Sequence, residues 1–112
     1  VFTISDNRIS RELKEAHPRG ISIRIITYNY KSEDMGSDVD ELSRAGIPVK
    51  MDKSDNHMHH KFAIIDNSFL INGSFNWTRS ASKYNEENIV ITNDKRLIGQ
   101  FGAVFSNLWN HF

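Results

Sequence analysis

Residues His57 to Trp77 read HMHHKFAIIDNSFLINGSFNW. Two runs of strand character, His59 to Ile65 and Phe69 to Asn72, flank an Asn67-Ser68 turn and predict a hairpin. Polar residues stand at fixed offsets along it: His59-x-Lys61, Asp66 after four residues, and Gly73-Ser74-x-Asn76 after six more. Residues two apart on a strand face the same side, so an imidazole and an ammonium point together from His59 and Lys61.

The surrounding sequence alternates in the same way. A short helix near Thr78 to Lys83 and a strand from Asn88 to Thr92 follow the hairpin. Asn93 or Asp94 opens a last helix to about Asn110, with Leu97, Phe101, Val104, Phe105 and Leu108 as its buried stripe. Gly99 and Gly102 inside it would each cost about 1 kcal/mol relative to Ala, so close packing on a sheet is the expected reason for them.

Upstream, Ile47 to Met51 reads as a strand near an edge because of Pro48. Ser37 with Asp40 resembles a capping box, Val39, Leu42 and Ala45 give an apolar face, and Gly46 suits the cap at the end. A polar loop through Gly36 separates that helix from a buried strand, Ile21 to Thr27. Ser5 or Asp6 caps a helix from about Arg8 to Ala16, which His17-Pro18-Arg19-Gly20 stops. The opening Val1-Phe2-Thr3-Ile4 reads as the tail of a strand without a starting Met. A segment upstream is therefore expected to be missing, and with it any anchor or targeting signal. Strands alternating with helices predict one α/β domain over residues 1–112, a mixed sheet with helices packed against it.

Composition narrows the chemistry. Lys plus Arg number 14 and Asp plus Glu number 14, so no global field draws in a polyanion, and any such site must be local. The absence of cysteine removes disulfides, thiolate metal sites and cysteine nucleophiles. No apolar run reaches the roughly 20 residues of a membrane-spanning helix. The compartment stays open.

The His59–Lys61 pair suits phosphoryl transfer. A neutral imidazole is a nucleophile at physiological pH, and an ammonium beside it neutralises charge on the non-bridging phosphate oxygens. Ser74 and Asn76, again two apart, can donate further hydrogen bonds to those oxygens, and Gly73 permits a close backbone approach. Asn76 or Thr78 capping the next helix would add backbone N–H groups. Two other readings compete: a structural His59, and a metal held by His57 and His59 in HMHH. Neither accounts for Lys61, Gly73-Ser74 and Asn76 at their offsets, and Lys61 would oppose a cation on that face.

The pattern H-x-K-x4-D-x6-G-S-x-N matches at every position the HKD signature of the phospholipase D superfamily. With LINGSFNWT and NEENIVIT, the chain resembles its single-motif subgroup, which includes bacterial Nuc-type endonucleases and mitochondrial cardiolipin hydrolases of the Zucchini type. The resemblance implies a phospholipase D-like α/β sandwich carrying one HKD half-site. It implies His59 as a nucleophile forming a phosphohistidine, with Lys61, Ser74 and Asn76 on phosphate oxygens and no cofactor. Asp66 becomes an orienting, structural carboxylate, and Glu87 the residue that holds the histidine ring, with Glu86 as its neighbouring ambiguity.

A second group must protonate the leaving oxygen, and family enzymes take it from the histidine of a second motif. This chain has one HxK. His17-Pro18-Arg19 lacks the lysine, His111 lies on the terminal helix, and His57 and His60 flank the motif, with His60 expected on the opposite face. A symmetric homodimer presenting two His59 side chains is the simplest solution.

Three functions follow as expectations. The first is a metal-independent endonuclease on single-stranded nucleic acid, with Lys53, Arg79 and Lys83 lining a basic groove and Phe75 and Trp77 available for stacking or for the core. The second is a phospholipase acting on an anionic lipid such as cardiolipin. The third is a non-catalytic, dimeric nucleic-acid-binding module, against which the intact motif argues.

Overall fold

The computed structural model describes residues 1–28 and 33–112. Asp6 opens the first helix, α1 (Asn7–Ala16), by accepting the Arg8 amide at 3.0 Å, and the Arg8 guanidinium clasps the same carboxylate at 3.0 and 2.6 Å. That clasp holds the Asp6 carboxyl down at about 2. His17–Arg19 tighten into one 3-10 turn, and Gly20 closes it at φ 88°.

Strand β1 (Ile25–Tyr28) pairs in parallel with β2 (Val49–Asp52), Ile25 opposite Val49. The strand expected from Ile21 starts four residues late because β2 offers no partner before Val49, and Ile21 is exposed. Helix α2 (Glu33–Arg44) links the two. It begins before the Ser37 expected to cap it. The loop predicted through Gly36 is cut short by this helix, and its residues 29–32 lie outside the described residues. Ile4, Ile25, Val39, Leu42 and Ile47 form the core between these elements, with Ile9, Leu13 and Val49 packed against it. Cutting a fully buried side chain such as Leu42 to Ala would cost about 2–5 kcal/mol.

The predicted hairpin is β3 (Phe62–Ile65) and β4 (Phe69–Gly73), antiparallel with Phe62 opposite Asn72, and β5 (Ile89–Thr92) pairs on the far side of β4. The turn centres one residue earlier than expected, on Asp66 and Asn67 at φ 56° and 52°, and the Ser68 amide donates to the Ile65 carbonyl at 3.0 Å. Positive φ at both central positions is the mirror-image turn that matches strand twist, and Asp and Asn tolerate it best after Gly. Helix α3 (Arg79–Lys83) is capped by Thr78, whose hydroxyl accepts the Ala81 amide at 3.1 Å. At five residues it is too short to aim a useful dipole at an anion.

Helix α4 (Lys95–His111) is opened by Asp94, which accepts from the Arg96 and Leu97 amides. Its buried line is Ile98, with Phe101, Phe105 and Leu108 half-buried, whereas Leu97 and Val104 of the expected stripe are exposed. The three-stranded sheet is too narrow to cover a wider face, and Ile89, Val90 and Ile91 on its β5 edge are exposed too. Nor do the helix glycines serve close packing. A Cβ at Gly99 would meet open space, and one at Gly102 would make an ordinary 3.8 Å contact with Ile64.

Residues 1–4 are the seam between the two sheets. On one side the Tyr28 amide and Thr27 hydroxyl donate to the Phe2 carbonyl at 3.2 and 3.0 Å, and the Val1 nitrogen donates to the Ile26 carbonyl. On the other, the Trp77 amide donates to the Thr3 carbonyl and the Ser5 amide to the Trp77 carbonyl, with Ile4 and Trp77 bridged in parallel. The expected mixed α/β architecture is thus assembled from a parallel and an antiparallel ladder joined by this segment.

Candidate active site

The site begins with how residues 52–61 are tied down. Asp52, buried at the end of β2, accepts the Ser54 amide at 2.8 Å, and Met58 is buried. Alternation about Met58 sends His57 and His59 to one side, where their rings lie 5.3 and 4.9 Å from that of Phe2. Tyr28 stacks on Phe2 and also approaches His57 at 4.6 Å. His60 goes the other way, edge-on to Phe62, which in turn meets Phe101 of α4. Strand pairing begins only at Phe62. His59 and Lys61 therefore sit just ahead of β3 rather than within it, and they keep the extended alternation.

Their side chains meet. Lys61 Nζ lies 3.0 Å from His59 Nδ1 and 3.4 Å from Nε2, and it donates to the His59 carbonyl at 2.8 Å. Desolvation, then the charges of Lys61, His57 and His60, lower the His59 pKa below its ordinary 6.5. Desolvation lowers that of Lys61 as well, with Glu87 opposing. The ring is held toward its neutral, nucleophilic form beside a cation.

Gly73 brings β4 and β5 together: a Cβ there would fall 2.2 Å from the Asn88 carbonyl oxygen. The close approach the sequence implied is thus between two strands. It lets the Ser74 amide donate to the Asn88 carbonyl at 3.1 Å while the Ser74 hydroxyl oxygen accepts the Asn88 amide at 3.2 Å. The same hydroxyl donates to Glu87 Oε1 at 2.5 Å, and Asn85 Nδ2 donates to Glu87 Oε2 at 3.0 Å. These two bonds, with the charge of Lys61, hold the Glu87 carboxyl below the ordinary range. Glu87, expected on the histidine ring, is instead engaged with Ser74 and Asn85. Glu86 is exposed. Asn76 accepts the Thr3 amide at 3.3 Å through Oδ1, which leaves its Nδ2 hydrogens for another acceptor.

One contact chain therefore runs from His59 through the Phe2–Thr3 segment to Asn76, while Lys61, in contact with His59, feels Glu87 and its Ser74 partner through charge. Asp66 is apart from both, exposed in the β3–β4 turn. Lys53 lines a groove with His111 and Phe112, whereas Arg79 and Lys83 line neither that groove nor the one beside His59. Arg79 instead lies near enough to Asp6 to lower its carboxyl. Phe75 and Trp77 are half-buried. Among the described residues no three His, Asp or Glu side chains gather as a metal set. Phe2, Thr3, Tyr28 and Asn85 were not singled out from sequence. Of these, Phe2 and Thr3 had one signal, the strand-tail character of the first four residues.

Residues 1–109 match a family model described as cardiolipin synthase, PLD-like domain. The chain belongs to this phospholipase D-like family. Its PLD-like domain is 48% identical to the mitochondrial cardiolipin hydrolase of Chlamydomonas reinhardtii, over all of this chain and 50% of that protein. It is 38% identical to the human protein of the same name, over all of this chain and 44% of the other. The chain thus spans about half the length of the curated relatives it matches. Among solved structures it superposes on Nuc from Salmonella typhimurium, a phospholipase D family member, with a TM-score of 0.89 and 28% identity, covering 96% of this chain and 73% of that one. NucT from Helicobacter pylori shares the fold at a TM-score of 0.81 and 24% identity, over 98% of this chain and 76% of the other. Among the described residues, no helix of the PLD-like domain is long and apolar enough to cross a membrane.

Proposed function

We propose that the chain is one half of a metal-independent phosphodiesterase that works through a covalent phosphohistidine at His59. The observation that carries this reading is the 3.0 Å approach of Lys61 Nζ to the His59 ring. In the first step a neutral ring nitrogen of His59 bonds to phosphorus, and the bond from phosphorus to the leaving oxygen breaks. That oxygen takes a proton from the His59 of a second chain. In the second step the same partner imidazole, now neutral, removes a proton from water; the oxygen bonds to phosphorus and His59 leaves. Lys61 and Asn76 hold the non-bridging oxygens; the single hydroxyl proton of Ser74 lies on Glu87, and Ser74 joins them when that proton turns to the phosphate.

The one-motif count supports the homodimer. Mixing wild-type with His59→Ala chains should give heterodimers that each lack one step, so activity should fall below the wild-type fraction. Sedimentation of an active monomer would remove the dimer.

For substrate we propose single-stranded nucleic acid, because the groove beside His59 is open and lined by imidazole, amide and hydroxyl groups. One observation favours a second reading, hydrolysis of cardiolipin: the relatives at 38–48% identity carry that name. Labelled single-stranded DNA, RNA and cardiolipin vesicles, tested side by side in EDTA with His59→Ala as control, rank the two. Activity lost in EDTA alone would return the metal reading.

A further inference from the structure

Beside His59 runs an open groove of about 630 Å³ whose other lining residues take no part in the two chemical steps above. One wall is the segment after β2, with Ser54, Asn56, His57 and His60 among its lining residues, and the other is the end of α4, with His111 and Phe112. The groove is thus rich in residues that can donate to an anion, and His59 is among those that line it. The acidic side chain among its lining residues, Asp52, is buried and accepts the Ser54 amide at 2.8 Å. Burial alone would raise the Asp52 carboxyl; the Ser54 and Met58 bonds and the nearby His111 charge keep it below the ordinary range.

From this arrangement we infer that the groove receives the nucleotide next to the scissile phosphate, with His111 donating to that neighbouring phosphate. The inference rests on the nucleic-acid reading and extends it. A substrate with one isolated phosphodiester reaches His59 but leaves the groove empty. A strand carries a second phosphate into it. Imidazole N–H donors suit this role, because they bind phosphate oxygens by direction as well as by charge. His111 is exposed and on a helix, so replacing it leaves the fold intact.

The test measures binding apart from turnover. In a His59→Ala background, the affinity for a fluorescent single-stranded oligonucleotide is read by anisotropy at fixed salt. His111→Ala should weaken it about tenfold, the loss of one hydrogen bond to a charged group, and Lys95→Gln, at the far end of α4, should leave it unchanged. In the active protein, His111→Ala should raise KM for the oligonucleotide by a similar factor with kcat nearly constant. It should also flatten the advantage of oligonucleotide over bis(4-nitrophenyl) phosphate.

Unchanged affinity in His111→Ala would overturn the inference even if the enzyme cleaves nucleic acid. Weakened binding of cardiolipin vesicles alone would replace the nucleotide by a lipid headgroup and overturn it as well. A wild-type protein that cleaves no strand, but whose oligonucleotide binding still depends on His111, would sink the proposed activity and leave the groove assignment standing.

Discussion

The Ser74 hydroxyl donates to Glu87 Oε1 at 2.5 Å while accepting the Asn88 amide at 3.2 Å, so a residue thirteen positions away fixes which way the hydroxyl points. Ser74 has one hydroxyl proton, so it reaches a phosphate oxygen by turning that proton away from Glu87, and Glu87 acts through it. Glu87→Gln and Ser74→Ala should each lower kcat by about 10- to 100-fold, the range for residues that orient a site ligand. The double variant should be little worse than either single one, because both remove the same unit. Additive losses in steady-state kinetics would separate the two residues.

The His59 pKa lies below 6.5 because of desolvation first and then the cationic neighbours Lys61, His57 and His60. A histidine whose folded pKa is below its unfolded value binds protons more readily when unfolded. Its contribution to stability is therefore present above the unfolded value and is lost as pH falls through the folded one. The acid limb of kcat/KM should also lie below the ordinary histidine range. Lys61→Met should raise the pKa, read by NMR titration of the ring. A ring that titrates unchanged in that variant would mean the ammonium does not tune it.

Asp66 makes a different forecast from the one its place in the motif suggests. Its φ of 56° puts a side-chain-bearing residue in the left-handed region, where Asp, Asn and Gly are tolerated. Asp66→Asn and Asp66→Gly should keep kcat within about twofold and leave the turn intact. Asp66→Ala should cost about 1 kcal/mol of stability in denaturant melts. A large catalytic loss in Asp66→Asn would show that the carboxylate itself is needed.

Much of this was legible in the sequence, and the limits have physical causes. The caps at Asp6, Thr78 and Asp94 and the β3–β4 pairing are local, set by residues a few positions apart, and the predictions fall within a residue or two. The His59–Lys61 meeting is local as well. The Ile21 strand start and the Leu97–Val104 stripe failed because they depend on which partner strand or sheet lies opposite. The union of Thr3 with Asn76, 73 positions apart, and the turn of Glu87 toward Ser74 leave no periodic trace. His111, which the sequence offers only as an unconvincing acid on the terminal helix, shares a groove with His60 once the chain is folded.

Gly73 and Gly99 should respond oppositely to the same change. At Gly73 an added methyl meets the Asn88 carbonyl oxygen at 2.2 Å and Ile89 Cα at 2.8 Å. Gly73→Ala should cost about 1–3 kcal/mol or more and displace Ser74, so activity should fall with stability. At Gly99 the methyl meets open space, and Gly99→Ala should stabilise the helix by about 1 kcal/mol with activity retained. Thermal melts of the pair check both.

The covalent step is where the account stands most exposed. Acid-free quenching during turnover, followed by proteolysis and mass spectrometry under alkaline conditions, should find the phosphoryl fragment of the substrate bonded to the His59 ring. Lys61→Met should sharply reduce that adduct and His59→Ala abolish it. Active protein that never carries the fragment, or carries it on another residue, would contradict the mechanism.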